Sequence, residues 1–577
     1  MYKSSRAALL VCCLLLMAAS SYYPKWKQQA AEATISWDVA GYYMYLPATF
    51  IYHDLKKCGF ADSILRKYKP TPDFQQAFLH SSGNYVMKYT MGQAVVFSPF
   101  FFAAQILTQF TSYPADGFSL PYQLCISFGM MLYAFIGLWF LRKILIRFFP
   151  DTIVAITLLI ITFATNYLNY AAIDGGMTHN TLFTLYSSLL FATLQLFETG
   201  RFRFFIAVGF VAGLLTLIRP TEIICLLIPT LWGISSGADL KKRKAFIIGH
   251  YKYFFVLIGC FLLTILPQFM YWKWASGDWF VHTYGQEGFD WLRPHIIKGL
   301  ISYRAGWLVY TPAMILSITG FVFLYRSYRS VFWSTAIFGV CFLYICFSWR
   351  EWWYGASLGQ RAIIQSYPVL CLPLAALLDA VRKKNKIVLT GLIACFIITC
   401  VFYNLWLTHQ AHRGGLFMGG QTTRSYFWAS LGRWQVPKET LTLLDNKEVF
   451  RGDTGKAVEI FSMPREQRLD KDTQSTHDLF FMTHPGKKWL RARAIFSTPQ
   501  KEWDVWKMPQ FNIKFYRGTD LCKVNFIRVS RVLGDGETAM LHFDASIPDS
   551  CTKASVSVWN AGSEKQLIIK NITVSEW

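Results

Sequence analysis

The chain has 577 residues, of which 53% are hydrophobic and 17% aromatic, and its formal net charge is +23. That is more apolar side chain than a soluble core needs, and the apolar runs are long, so the totals exclude an ordinary soluble domain. Many of the Lys and Arg fall in short clusters between apolar runs, where they orient membrane helices rather than bind nucleic acid.

A spanning helix needs about 20 apolar residues, with latitude for tilt and packing. On that rule eleven segments qualify: 7–23, 119–141, 151–168, 180–198, 203–219, 222–236, 252–272, 306–325, 331–348, 362–381 and 387–407. The clusters Lys3/Arg6, Arg142/Lys143/Arg147, Arg201/Arg203, Lys241 to Lys244, Arg326/Arg329 and Arg382 to Lys386 then all fall on one side, as cytoplasmic loops should. The N-terminus is expected inside and the C-terminus outside. The apolar stretch 91–110 is left out of the spanning set, because counting it would throw every later basic cluster to the other side. It reads as an interfacial or re-entrant helix in a long outer loop, 24–118. An alternative for the first segment is a cleaved signal peptide, given Ala18-Ala19-Ser20.

After residue 407 charged and polar residues become frequent, and short alternating stretches appear at 489–497, 511–516, 524–533, 538–544, 554–559 and 566–574. They predict an antiparallel β-sandwich over 440–577, with 408–439 as a connector and Gly534-Asp535-Gly536 as a hairpin turn. The expected fold is therefore an all-α polytopic membrane domain over 1–407, followed by an extracytoplasmic all-β sandwich. Most of the 13 cysteines sit singly in apolar segments without metal-ligand spacing. Cys522 and Cys551 lie outside the membrane in this scheme, where an oxidising compartment would allow them to close a loop.

The outer loops hold the chemistry. Trp37-Asp38 followed by Gly41-Tyr42-Tyr43 sets one carboxylate among aromatics at a membrane surface, where an acid is costly to desolvate and needs a reason. On the same expected side lie Lys88, Asp174, His179, Arg219, Glu222, Arg304, Arg350, Glu351 and Arg361. A transporter would bury such groups at mid-depth, whereas ionisable residues at the outer interface suit a lipid-borne substrate with its head group at the surface. In Trp349-Arg350-Glu351-Trp352-Trp353-Tyr354-Gly355 and Gly359-Gln360-Arg361, aromatics offer faces for sugar and Arg361 a fork for phosphate.

The first helix, the long loop with Trp37-Asp38 and Gly41-Tyr42-Tyr43, Lys88 before Tyr89-Thr90-Met91-Gly92, and the helix pairs that follow resemble the GT-C superfamily of membrane glycosyltransferases. Within it the protein O-mannosyltransferases and the aminoarabinose transferases of lipid A are similar to this chain over roughly residues 1–407. The resemblance implies a polyprenyl-phosphate-linked sugar donor, a glycan, lipid or protein acceptor, transfer with inversion outside the cytoplasm, and residence in a bacterial inner membrane among membrane lipids. It implies Asp38 as catalytic base, and Lys88, Arg361, Arg304 and Arg219 as holders of the donor phosphate. Trp37, Tyr42, Asp174, His179, Glu351, Trp352 and Trp353 would shape the sugar and acceptor pocket.

The plain alternatives are a helix cap or loop acid for Asp38, a snorkelling lysine for Lys88, an interfacial aromatic belt for the tryptophans and a tight polar turn for Asp174 to Asn180. No Asp-x-Asp pair stands in the first loop, so no cofactor is expected, although the resemblance leaves a divalent metal open. Trp503, Trp506 and Trp559 are candidate sugar contacts in the sandwich. The rival functions are a polyprenyl-linked glycan flippase and a non-catalytic assembly subunit.

Overall fold

The structure is a computed structural model that describes residues 2–577 except 286, 454, 456, 502, 504–506 and 550. The chain forms two compact units, Met1–Gly415 and Leu416–Trp577.

The first unit is helical. Among the described residues, six of its helices are long and apolar enough to cross a membrane, and their α-helical parts are Lys3–Tyr22, Leu120–Leu145, Tyr251–Ser276, Arg329–Ser348, Tyr367–Lys384 and Ile387–His409. These account for six of the eleven expected spans. The other five segments hold helices that are shorter, broken or more polar. Residues 151–168 give Asp151–Phe163 and a separate turn at Tyr167–Ala172, 203–219 gives Phe202–Ile218, and 180–198 lies in the polar-rich Thr178–Thr199. Residues 222–236 begin as a 3-10 helix, Pro220–Leu226, and 306–325 is divided at Pro312 before Ile315–Ser327. Segment 91–110 forms the helix Gly92–Thr108.

Residues in left-handed conformation stop several helices, Gly200 after Thr199, Gly277 after Ser276 and Asn385 after Lys384. Tyr367–Lys384 is enclosed by its neighbours, whereas Tyr251–Ser276 and Ile387–His409 expose Phe255, Leu263, Phe402 and Leu392. Large apolar side chains in that number on a helix surface call for lipid rather than water. Phe202–Ile218 packs against Tyr251–Ser276 through Gly209 and Gly213, where an added Cβ would strike the Leu257 carbonyl and the Thr264 side chain.

The basic clusters meet at one end of the bundle. Arg142 donates to Ser5, the backbone N–H groups of Ser4 and Ser5 donate to Asp151, and Arg147 pairs with Glu198. Phe148 contacts Trp232, Phe149 contacts Tyr328, and Tyr328 donates to Asp379, which pairs with Arg382 and Lys383.

A short hairpin, β1 (Ala77–Leu79) with β2 (Tyr85–Met87), precedes Lys88. The second unit holds β3 (Val458–Met463), β4 (Gln467–Leu469), β5 (Leu479–Met482), β6 (Trp489–Ser497), β7 (Gln510–Arg517), β8 (Asp520–Arg528), β9 (Thr538–Ser546), β10 (Lys553–Trp559) and β11 (Leu567–Glu576). They form two antiparallel sheets, ordered β5-β10-β7-β8 and β3-β11-β6-β9 with β4 on β11. Phe511 of β7 packs on Phe496 of β6 and Phe543 of β9, so the sheets share one core.

Two expectations change. The expected strand 524–533 runs earlier, as Asp520–Arg528, and Val529–Arg531 is a 3-10 turn. Gly534 to Gly536 therefore joins strands of different sheets and is not a hairpin, because β9 pairs with β6. Cys522 is exposed on β8 while Cys551 is buried. Trp503 donates to the Leu533 carbonyl and packs on the core, Trp559 is exposed, and Trp506 lies outside the described residues.

Candidate functional site

Four chain breaks aim polar side chains into one cavity. Ser36 is extended and Trp37 takes φ 48°, and from there the short helix Trp37–Tyr43 places Asp38 in its first turn. The Asp38 carboxylate does not cap the helix: Oδ1 accepts from the Tyr89 hydroxyl at 2.8 Å and Oδ2 from Arg361 Nη2 at 2.9 Å. Tyr89 and Lys88 follow the β1–β2 hairpin, whose end is fixed by the Met87 N–H donating to the Tyr271 hydroxyl and by Thr90 donating to the Ile218 carbonyl. Arg219 precedes a proline and is extended, so the helix ends at Ile218 and the side chain leaves it. Gly355 and Gly359, both at positive φ, turn the chain after Arg329–Ser348 and bring Arg361 back at the start of the next helix.

The cavity measures about 480 Å³ and is lined by Asp38, Tyr42, Lys88, Arg219, Glu222, Glu351 and Arg361, among others. Its walls are aromatic, with Tyr42 against Tyr89 at 4.4 Å and Tyr89 edge-on to Tyr284 at 6.1 Å. Phe280 to Tyr284 and Glu287 to Phe289 form one side. Asp290 N–H donates to the Ser348 carbonyl, Arg350 N–H donates to Gly288, and Glu287 pairs with Lys88 at 3.1 Å.

Glu222 is buried and accepts from Tyr186 and from Gln365, each at 2.5 Å. Gln365 in turn bonds the buried His179 at Nδ1, 2.9 Å away. Burial would raise the Asp38 carboxyl, but the Arg361 guanidinium, the Tyr89 hydroxyl and the charges of Lys88 and Arg219 outweigh it and hold the group below the usual carboxylate range.

Of the residues singled out in the sequence, Asp38, Tyr42, Lys88, Arg219, Glu222, Glu351 and Arg361 line this cavity. The others stand elsewhere. Arg304 stacks on Trp353 at 3.5 Å, and Trp352 is buried with its carbonyl accepting from Gln360. His179 lies behind Gln365. Asp174 pairs with Lys25 and accepts from Asn169; burial would raise it, but Lys25 and His412 bring it down to about 2. Trp37 is half-buried beside Asp38 and is not among the lining residues.

Tyr89, Tyr284, Glu287 and Gln365 join the site without having been singled out. The signal for the loop was its composition: Trp279, Phe280, Tyr284, Phe289 and Trp291 crowd a segment between two apolar runs. Among groups in this cavity, an ionised carboxylate stands beside cations and flat aromatic surfaces. Such a set can accept a proton from a hydroxyl or amine, hold a phosphate and stack a sugar ring.

No protein-family model matches the sequence, and no curated protein does. Among solved structures the chain is similar to the arabinosyltransferase EmbB from Mycobacterium smegmatis, determined by single-particle cryo-EM, at 11% identity and a TM-score of 0.31. The match covers 82% of this chain, and the chain spans 59% of the length of the EmbB chain.

Proposed function

We propose that this protein is an integral membrane glycosyltransferase of the GT-C type, which moves a sugar from a polyprenyl-phosphate-linked donor to an acceptor hydroxyl or amine outside the cytoplasm. The observation that carries this reading is the pairing of Asp38 with Arg361, 323 residues apart, inside a cavity that Lys88 and Arg219 also line. In the reaction the acceptor atom bonds to the anomeric carbon while the bond from that carbon to the phosphate oxygen breaks. The electron pair stays with the phosphate, the acceptor proton goes to Asp38, and attack opposite the leaving phosphate inverts the centre. Arg361, Lys88 and Arg219 would stabilise the charge that gathers on the departing phosphate. Tyr42, Tyr89 and Tyr284 would flank the sugar.

The gathering of basic clusters at one end of the bundle supports a cytoplasmic assignment for that end. The test is a membrane assay with radiolabelled polyprenyl-phosphate sugars, comparing wild type with Asp38→Asn and Asp38→Ala at equal expression. Transfer should fall on the order of 10² to 10⁴-fold in both variants. Undiminished transfer in both would remove Asp38 from the chemistry.

A further inference from the structure

The cations of the cavity are already engaged. Three of them, Lys88, Arg219 and Arg361, face four carboxyl groups, Asp38, Glu222, Glu287 and Glu351. Two of the cations are held directly: Arg361 by Asp38 at 2.9 Å and Lys88 by Glu287 at 3.1 Å. Both pairs are part-exposed, with side-chain exposures of 21% and 28% for Arg361 and Asp38 and of 27% and 39% for Lys88 and Glu287. Ion pairs that solvent can still reach are screened and weakly held, so a phosphate can displace them. Arg361 is also only partly used. It meets Asp38 through Nη2, while its Nε–H is buried with no partner among the described residues. A planar fork with a donor to spare is suited to phosphate oxygens.

We infer that Asp38 and Glu287 are stand-ins for the donor phosphate, which takes Arg361 and Lys88 from them and so frees Asp38 to act as base only in the donor-loaded site. This rests on the glycosyltransferase reading and adds an order to it, donor before chemistry. The charges balance through the cycle. The donor phosphodiester enters as a monoanion beside an ionised Asp38. After transfer the polyprenyl phosphate carries two negative charges, and Asp38 holds the acceptor proton. Once that proton passes to water, the ionised Asp38 competes for Arg361 and Glu287 competes for Lys88, which drives the product phosphate out. Glu287 is thereby a positioning residue that acts through Lys88.

The test is equilibrium binding of a short-chain polyprenyl phosphate to the full-length protein in detergent, with the matching uncharged polyprenol as control. Asp38→Asn and Glu287→Gln each remove a competing carboxylate at nearly constant shape and should tighten phosphate binding up to about fivefold. Arg361→Gln and Lys88→Gln should weaken it. The half-exposed Glu287→Gln carries the test alone if Asp38→Asn fails to fold, as judged by size-exclusion elution. If wild type binds the phosphate better than the polyprenol but neither carboxylate variant binds it more tightly, the stand-in role is overturned. If wild type does not distinguish phosphate from polyprenol, the donor-phosphate reading itself fails.

Discussion

Asp38 carries a charge that burial disfavours and that Arg361 and Tyr89 sustain, which fixes the pH behaviour expected of the site. Its carboxyl lies below the usual value, so the ion pair is intact at neutral pH and is lost as pH falls through that lowered value. The acid limb of kcat/KM reports the free enzyme and should lie below the ordinary carboxylate range. The limb of kcat reports the loaded enzyme and should lie higher, because Arg361 has then passed to the phosphate. A pH–rate profile in which the two limbs coincide would show Arg361 staying on Asp38. At this scale the sequence makes both residues conspicuous, Asp38 as one acid among aromatics and Arg361 after a glycine in a tryptophan-rich run. It cannot show that they touch, since 323 residues separate them and no local period links them.

At the scale of elements, the site depends on how closely the Trp37–Tyr43 helix approaches the strand end that carries Tyr89. A Cβ on Gly41 would come within 2.5 Å of one edge of the Tyr89 ring. Gly41→Ala should therefore push the Tyr89 hydroxyl off Asp38 and lower transfer on the order of 10²-fold, with a melting temperature close to wild type. Unchanged transfer would show that the tyrosine is dispensable or that the helix slides without loss.

The long apolar helices are legible in the sequence, because about 20 apolar residues leave little other structure in lipid. The broken ones are less so. The segment 306–325 looks continuous in hydropathy, yet Pro312 divides it into a short helix, a 3-10 turn and Ile315–Ser327. Strand register in the second unit shows the same limit. Alternation marks Trp489–Ser497 correctly, whereas 524–533 merges a strand end with a 3-10 turn, and Val529 in that turn and Val532 just after it face the same core.

On the scale of the whole molecule, the Leu416–Trp577 unit has its own core, built from Phe496, Phe511, Phe515, Phe543, Ile569 and Val574 on facing sheets. A fragment of residues 416–577 should fold alone, giving a β-type circular dichroism spectrum and one cooperative thermal transition. A non-cooperative melt would show that its core is incomplete without the helical unit. By itself the sequence determines a chain with apolar helices first and antiparallel sheets after, because hydropathy length and alternation are local properties that each segment carries with it. Only the tertiary structure decides which charges share a cavity, that Glu287 sits on Lys88, and that Arg304, Asp174 and His179 stand apart from Asp38. Those relations depend on where breaks in distant helices point their side chains, and packing sets that in three dimensions.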